Sequence, residues 1–144
     1  MEQDQYRAEF DRLRALPQGI VEQWLRQHPA MNSLNCQSVN PLRIQTLLDE
    51  HGAVRFMSAT ITIGNGTDYA NASAPRSIFA LVDPATGKVI TDGCDYNGNR
   101  YEKHPVTGTA ICGFQVPMWE KVLQCVSNAA LNSPGCAMSA GMWP

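Results

Sequence analysis

The sequence predicts one α+β domain over residues 1–144: N-terminal helices, an antiparallel meander of four to five strands, and a C-terminal helix packed on one sheet face. Two observations carry this prediction. Helical and β-rich stretches are kept apart along the chain, which favours an α+β fold over an alternating α/β fold. A length of 144 residues with 44% hydrophobic side chains is also enough for one buried core.

Three stretches with helical spacing precede the predicted sheet. The first covers residues 6–16, with apolar side chains on one stripe, and the second covers residues 20–28. The third covers residues 41–51. It starts at Asn40 and Pro41, a pattern typical of an N-cap followed by proline, and Gly52 suits a left-handed C-terminal cap. We therefore expect three helices before the first strand.

The middle of the chain is predicted to form the sheet. Residues 53–63 are rich in β-branched side chains, and a strand there would place Met57, Ala59, Ile61 and Ile63 on one side. Residues 78–82 and 89–91 flank a turn that contains Pro and Gly, and Asn97 with Gly98 indicates a second hairpin. We expect a last strand at 109–116.

A C-terminal helix is expected to open at Pro117, with Met118 and Trp119 facing inward. Cys112 and Cys125 lie in apolar surroundings and are expected to be small core residues.

Charge and composition argue against several functional classes. A net charge of -2 gives no bulk attraction to nucleic acid or to an anionic membrane surface. The acidic N-terminus does not resemble a secretory signal, and no apolar run reaches the ~20 residues that span a bilayer. Five cysteines, an odd number, favour reduced thiols. We expect a cytoplasmic protein without a membrane association, and the oligomeric state stays open.

The charged stretch 93–105 is expected to form an exposed hairpin arm. With a two-residue type I′ turn at Asn97 and Gly98, Asp95 would face Arg100 across the strands, and Asp92 would face Lys103. A calcium loop of the EF-hand type is excluded, because Arg100 and Val106 stand where that loop needs glycine and glutamate.

Two outward features favour a binding function. The first is the long loop 64–77, and the second is the arm. Both carry residue types common at interface hot spots: Asp68, Tyr69 and Arg76 in the loop, and Tyr96, Arg100 and Tyr101 in the arm. We expect a non-enzymatic module that binds another protein, such as an inhibitor or accessory factor encoded by a mobile genetic element. No cofactor or metal is expected.

A small thiol enzyme, a deamidase or hydrolase, is the alternative. Cys94 followed by His104 is similar to the glycine–cysteine and downstream histidine of toxin-type glutamine deamidases, and Cys36 before a predicted helix resembles the nucleophile position of papain-fold enzymes. In the hairpin register above, however, Cys94 and His104 lie on opposite faces.

Two further classes find less support in the sequence. Residues 78–142 resemble zinc-dependent deaminases in outline, but Val106 and Ser139 replace the glutamate and the second cysteine, so no zinc site is expected. A nucleic-acid binder would need a basic face built from Arg76, Lys88, Arg100 and Lys103.

Overall fold

The computed structural model describes residues 25–65 and 77–132, together with the backbone of 138–143. In chain order its elements are α1 (Pro29–Asn32), β1 (Leu42–Leu48), β2 (Val54–Ile63), β3 (Ile78–Val82), β4 (Gly93–Cys94), β5 (Arg100–Tyr101), α2 (Trp119–Leu131) and β6 (Met138–Trp143). The strands form one antiparallel sheet in the order β5-β4-β3-β2-β1-β6. The predicted α+β class is confirmed, and β1 to β5 form the meander.

The N-terminal helix predicted at 6–16 lies outside the described residues, and so do residues 20–24 of the helix predicted at 20–28. The expected end of the second one, residues 25–28, is not helical. There His28 caps the short helix α1, because its Nδ1 accepts a hydrogen bond of 3.1 Å from the backbone N–H of Ala30.

The prediction of a helix at 41–51 was wrong, because most of this segment forms strand β1. Its side chains alternate with a period of two, with Leu42, Ile44 and Thr46 buried and the residues between them exposed. Gly52, with a φ of 75°, belongs to the turn between β1 and β2 and does not cap a helix. The Asp49 carboxylate closes this turn by accepting hydrogen bonds from the backbone of His51 and Ala53.

Strand β2 confirms the prediction at 53–63, with one local difference. The register of β1 and β2 shifts between Gln45 and Thr46, so that Ser58 pairs with Gln45 while Phe56 pairs with Thr46. Met57 is the extra residue of this bulge and is exposed, whereas the prediction placed it beside Ala59 on the inner side.

Helix α2 covers the inner face of the sheet. Trp119 and Val126 are buried in a core that is shared with the alternating side chains of β1, β2 and β3. The Trp119 Nε1–H donates to the carbonyl of Pro84 over 2.9 Å, which ties α2 to the turn after β3. Met118, Cys112 and Cys125 are exposed, and their predicted inward placement was wrong.

The segment 109–116 is irregular, although a strand was predicted there. It joins the rest of the structure through single bridges, Lys103 with Ala110 and Lys88 with Gln115, and contributes the buried side chain of Ile111. The segment 89–91 likewise pairs with β3 only at Val89.

The second hairpin has a register one residue away from the predicted one. Cys94 pairs with Arg100, and Asp95 closes a three-residue loop through its backbone bonds with Gly98 and Asn99. Gly98 has a φ of 83°, as in the common three-residue loop whose last residue is left-handed. The predicted charge pairs of the arm are therefore not found among the described ion pairs.

Candidate functional site

The face of the sheet opposite α2 carries the candidate site, and we call it the open face. In an antiparallel sheet, residues paired across strands point to the same side. Two rows of side chains follow from the register. The first row crosses from β1 to β3 and consists of Arg43, Thr60 and Leu81. The second row crosses from β2 to β5 and consists of Thr62, Phe79, Cys94 and Arg100.

A small cleft opens where the two rows meet. Its volume is about 100 Å³, and it is lined by Pro41, Leu42, Arg43, Thr60, Thr62, Phe79 and Tyr96. Arg43 is exposed, and within the described residues it forms no ion pair. Thr62 is only 5% exposed, and its side chain lines the cleft beside Arg43. The cleft thus combines a cation that has no ion pair among the described residues with a hydroxyl from a largely buried threonine.

An aromatic pair forms one wall of the small cleft. The rings of Phe79 and Tyr96 meet edge to face with their centroids 4.8 Å apart, a favoured geometry for aromatic pairs. Tyr96 is 62% exposed at the tip of the second hairpin. The wall is therefore built by one residue from within the sheet and one from a loop.

The hairpin loop is organised around the Asp95 carboxylate, which is only 7% exposed. It accepts hydrogen bonds from the backbone N–H groups of Asn97 and Asn99, from the Asn99 side-chain amide, and from the Tyr101 hydroxyl. The Asn99 amide is the strongest influence, and together these donors hold the pKa of Asp95 below its ordinary value of 3.8. The hydrogen bond that the Tyr101 hydroxyl donates to Asp95 raises the pKa of Tyr101.

A broader cleft adjoins the small one on the same face. Its volume is about 780 Å³, and it shares Thr60 and Phe79 with the small cleft. Its other lining residues are Ala80, Leu81, Ile90, Thr91, Asp92, Gly93, Cys94, Gly98, Arg100 and Cys112. Because the two clefts are contiguous, one extended ligand can occupy both.

The residues of the thiol-enzyme hypothesis are not brought together. His104 is buried, and its Nδ1 accepts from the backbone N–H groups of Val106 and Thr107, so that Nε2 carries the proton and donates to the carbonyl of Gly64 over 2.7 Å. Cys94 donates to the carbonyl of Asp95, and Cys36 lies beside the Gln37 amide. Within the described part of the chain, neither thiol contacts an imidazole.

The predicted binding residues are only partly described. Asp68, Tyr69 and Arg76 lie outside the described residues. Tyr96 and Arg100 are exposed and line the small and the broad cleft, respectively, whereas the Tyr101 hydroxyl is bound to Asp95. No group of three or more His, Cys, Asp or Glu side chains suited to a metal ion is present where the structure is described.

Sequence reasoning missed the residues of the small cleft that come from within the sheet, namely Arg43, Thr60, Thr62 and Phe79. Arg43 was missed because residues 41–51 were predicted to form a helix. The signal was present in two places, because polar residues alternate with buried ones at 42–46 in β1 and again at 59–63 in β2. Such alternation on adjacent strands indicates a sheet with one open, polar face, which is where these four residues lie.

No helix within the described residues is long and apolar enough to cross a membrane. No curated protein and no solved structure matches the chain significantly. Residues 14–140 do match a family described as sugar-transfer associated ATP-grasp, and this span includes both clefts and the five-stranded meander. The chain therefore belongs to the sugar-transfer associated ATP-grasp family.

Proposed function

We propose that the open face binds ATP and that the small cleft receives one of its phosphoryl groups. The observation that carries this proposal is that Arg43, which has no ion pair among the described residues, lines the same small cleft as the largely buried Thr62. A guanidinium fork suits phosphate oxygens, and a hydroxyl can donate to one of them. Membership of an ATP-grasp family supports the choice of ATP among phosphorylated ligands.

The size of the small cleft fits this role. A volume of about 100 Å³ leaves room for a small group such as a phosphoryl group. The rest of the nucleotide would extend past Phe79 into the broad cleft, where Leu81 and Ile90 offer apolar surface.

The electrostatic contribution of Arg43 can be measured directly. A hydrogen bond to a charged group contributes about 1.5–3 kcal/mol, so Arg43→Ala should raise the Kd for ATP about 10- to 100-fold. Lys121→Ala is the matched control, because it removes an exposed cation from α2 on the other side of the sheet and should leave the Kd unchanged. Thr62→Val should weaken binding and Thr62→Ser should largely restore it.

The measurement is isothermal titration calorimetry of the full 144-residue chain with ATP, pyrophosphate and AMP, each with excess Mg²⁺. We expect Arg43→Ala to raise the Kd for ATP and for pyrophosphate, and to raise the Kd for AMP less. Absence of ATP binding at millimolar concentration would refute the proposal. So would equal Kd values for Arg43→Ala and Lys121→Ala.

The family description also suggests that ATP is used in support of sugar transfer, and we include that role in the proposal. A cytoplasmic location would suit it, because the cysteines at positions 36, 94, 112 and 125 are all free thiols.

Binding of another protein is the second candidate function. The observation in its favour is the apolar surface around the broad cleft, where Leu81 is 47% exposed and Ile90 is 56% exposed, with Tyr96 close by. A photo-crosslinking residue at Ile90 should capture a defined partner, and the same residue at Lys121 should not. Equal capture from the two positions would argue against a specific surface.

A further inference from the structure

The second hairpin connects a buried charge to the wall of the small cleft. Four hydrogen bonds of 2.8 to 3.0 Å converge on the Asp95 carboxylate, and all four donors lie within the following six residues. The donors come from the loop backbone, from the Asn99 amide and from the Tyr101 hydroxyl. The carboxylate therefore fixes both ends of the loop 96–98 at once.

Tyr96 follows Asp95 directly in the chain, so its backbone position is set by this network. Its ring contacts Phe79, which is paired with Cys94 on the neighbouring strand and is held within the sheet. One partner of the aromatic pair is thus fixed by strand pairing and the other by the loop. Only the loop partner depends on the Asp95 carboxylate.

We propose that Asp95 is a positioning residue that holds Tyr96 against Phe79, and that this aromatic wall limits the small cleft to the size of one phosphoryl group. The inference rests on the proposed function, since it assigns a selective role to one wall of the same site. Tyr96 is the residue that meets the ligand, and Asp95 acts through it. The loop would otherwise leave the cleft open on the side of the hairpin tip.

The test compares Asp95→Asn with Asp83→Asn in the full chain. An Asn at 95 presents an N–H₂ group toward donors that need an acceptor, so the network loses at least one of its bonds. Asp83 is a matched control. It too closes a turn, by accepting hydrogen bonds from the backbone of Ala85 and the hydroxyl of Thr86, but it lines neither cleft.

Two readouts are needed. The first is the nuclear Overhauser effect between the Phe79 and Tyr96 rings without ligand, and the second is the Kd for ATP. For Asp95→Asn we expect loss of the ring contact and a Kd raised about three- to tenfold, the range that one aromatic contact supports. Asp83→Asn should change neither readout. Tyr96→Ala should reproduce the higher Kd, and Tyr96→Phe should keep the original value.

The outcomes separate the two proposals. If the unmodified chain does not bind ATP, both the proposed function and this inference fail. If it binds ATP and Asp95→Asn leaves either the ring contact or the Kd unchanged, the inference alone fails. Should Asp95→Asn not fold, Tyr101→Phe removes one donor from the same carboxylate, and it must shift both readouts in the same direction.

Discussion

A single methyl group at Gly87 is expected to destabilise the protein more than the same group at Gly98. Both glycines have positive φ, 71° and 83°, so alanine at either position adopts a strained left-handed backbone. The surroundings differ. A Cβ at Gly87 would lie 2.6 Å from Cδ2 of Trp119, whereas a Cβ at Gly98 meets nothing within 4 Å.

The magnitude follows from adding the separate costs. Backbone strain contributes about 1 kcal/mol at both positions. At Gly87 the buried Trp119 must also move, which adds about 1–3 kcal/mol for overpacking and about 1 kcal/mol for its hydrogen bond to Pro84. We therefore expect Gly87→Ala to lower the free energy of unfolding by about 3–5 kcal/mol and Gly98→Ala by about 1 kcal/mol.

Urea denaturation followed by circular dichroism measures both values. In thermal unfolding the same losses correspond to a decrease in Tm of about 9–15 °C for Gly87→Ala and about 3 °C for Gly98→Ala. Replacing Trp119 with leucine should remove most of the difference between the two alanine variants, because the clash disappears. Equal destabilisation at the two positions would show that Trp119 does not pack against Gly87.

Three further predictions concern the hairpin, the buried histidine and the thiols. Because its folded pKa is lowered, Asp95 stabilises the folded state above its unfolded pKa near 3.8, and this contribution is lost as the pH falls through the folded value. The Phe79–Tyr96 ring contact should therefore weaken in acid, which two-dimensional NMR would detect; a contact that persists unchanged after the Asp95 carboxylate has been protonated would contradict this. His104→Ala should cost about 2–4 kcal/mol in urea denaturation, since it leaves the Gly64 carbonyl without its donor and two backbone N–H groups without their acceptor. Alkylation of Cys94, followed by mass spectrometry, should proceed at the rate of an ordinary exposed thiol and be the same in His104→Gln; a strong dependence on His104 would revive the thiol-enzyme hypothesis.

The fold class could be predicted from the sequence because it depends on local composition. Residues 53–63 and 78–82 carry enough β-branched side chains to specify strands by themselves. Strand β1 could not be identified in this way. Its leucines fit both a helical and an alternating pattern, and the buried polar residue Thr46 conceals the alternation.

The hairpin register and the site depend on interactions that residue types alone do not reveal. A two-residue turn at Asn97 and Gly98 is the usual interpretation of that pair, but the Asp95 carboxylate stabilises a three-residue loop instead. Tyr96 and Arg100 could be predicted as site residues because they lie on the second hairpin, which the sequence indicates. Thr62 and Phe79 were not, since their role depends on which strands become neighbours.

The pairing of β1 with β6 has a consequence for how the protein is made. Leu42 at the start of β1 pairs with Trp143 at the end of β6, so the outer edge of β1 lacks this partner until the ribosome has also made residues 138–143. During that interval β1 presents free N–H and C=O groups, which can template pairing with another nascent chain. Synthesis of β6 is thus the step after which this edge is protected, and a contact between residues so distant in sequence is expected to form slowly.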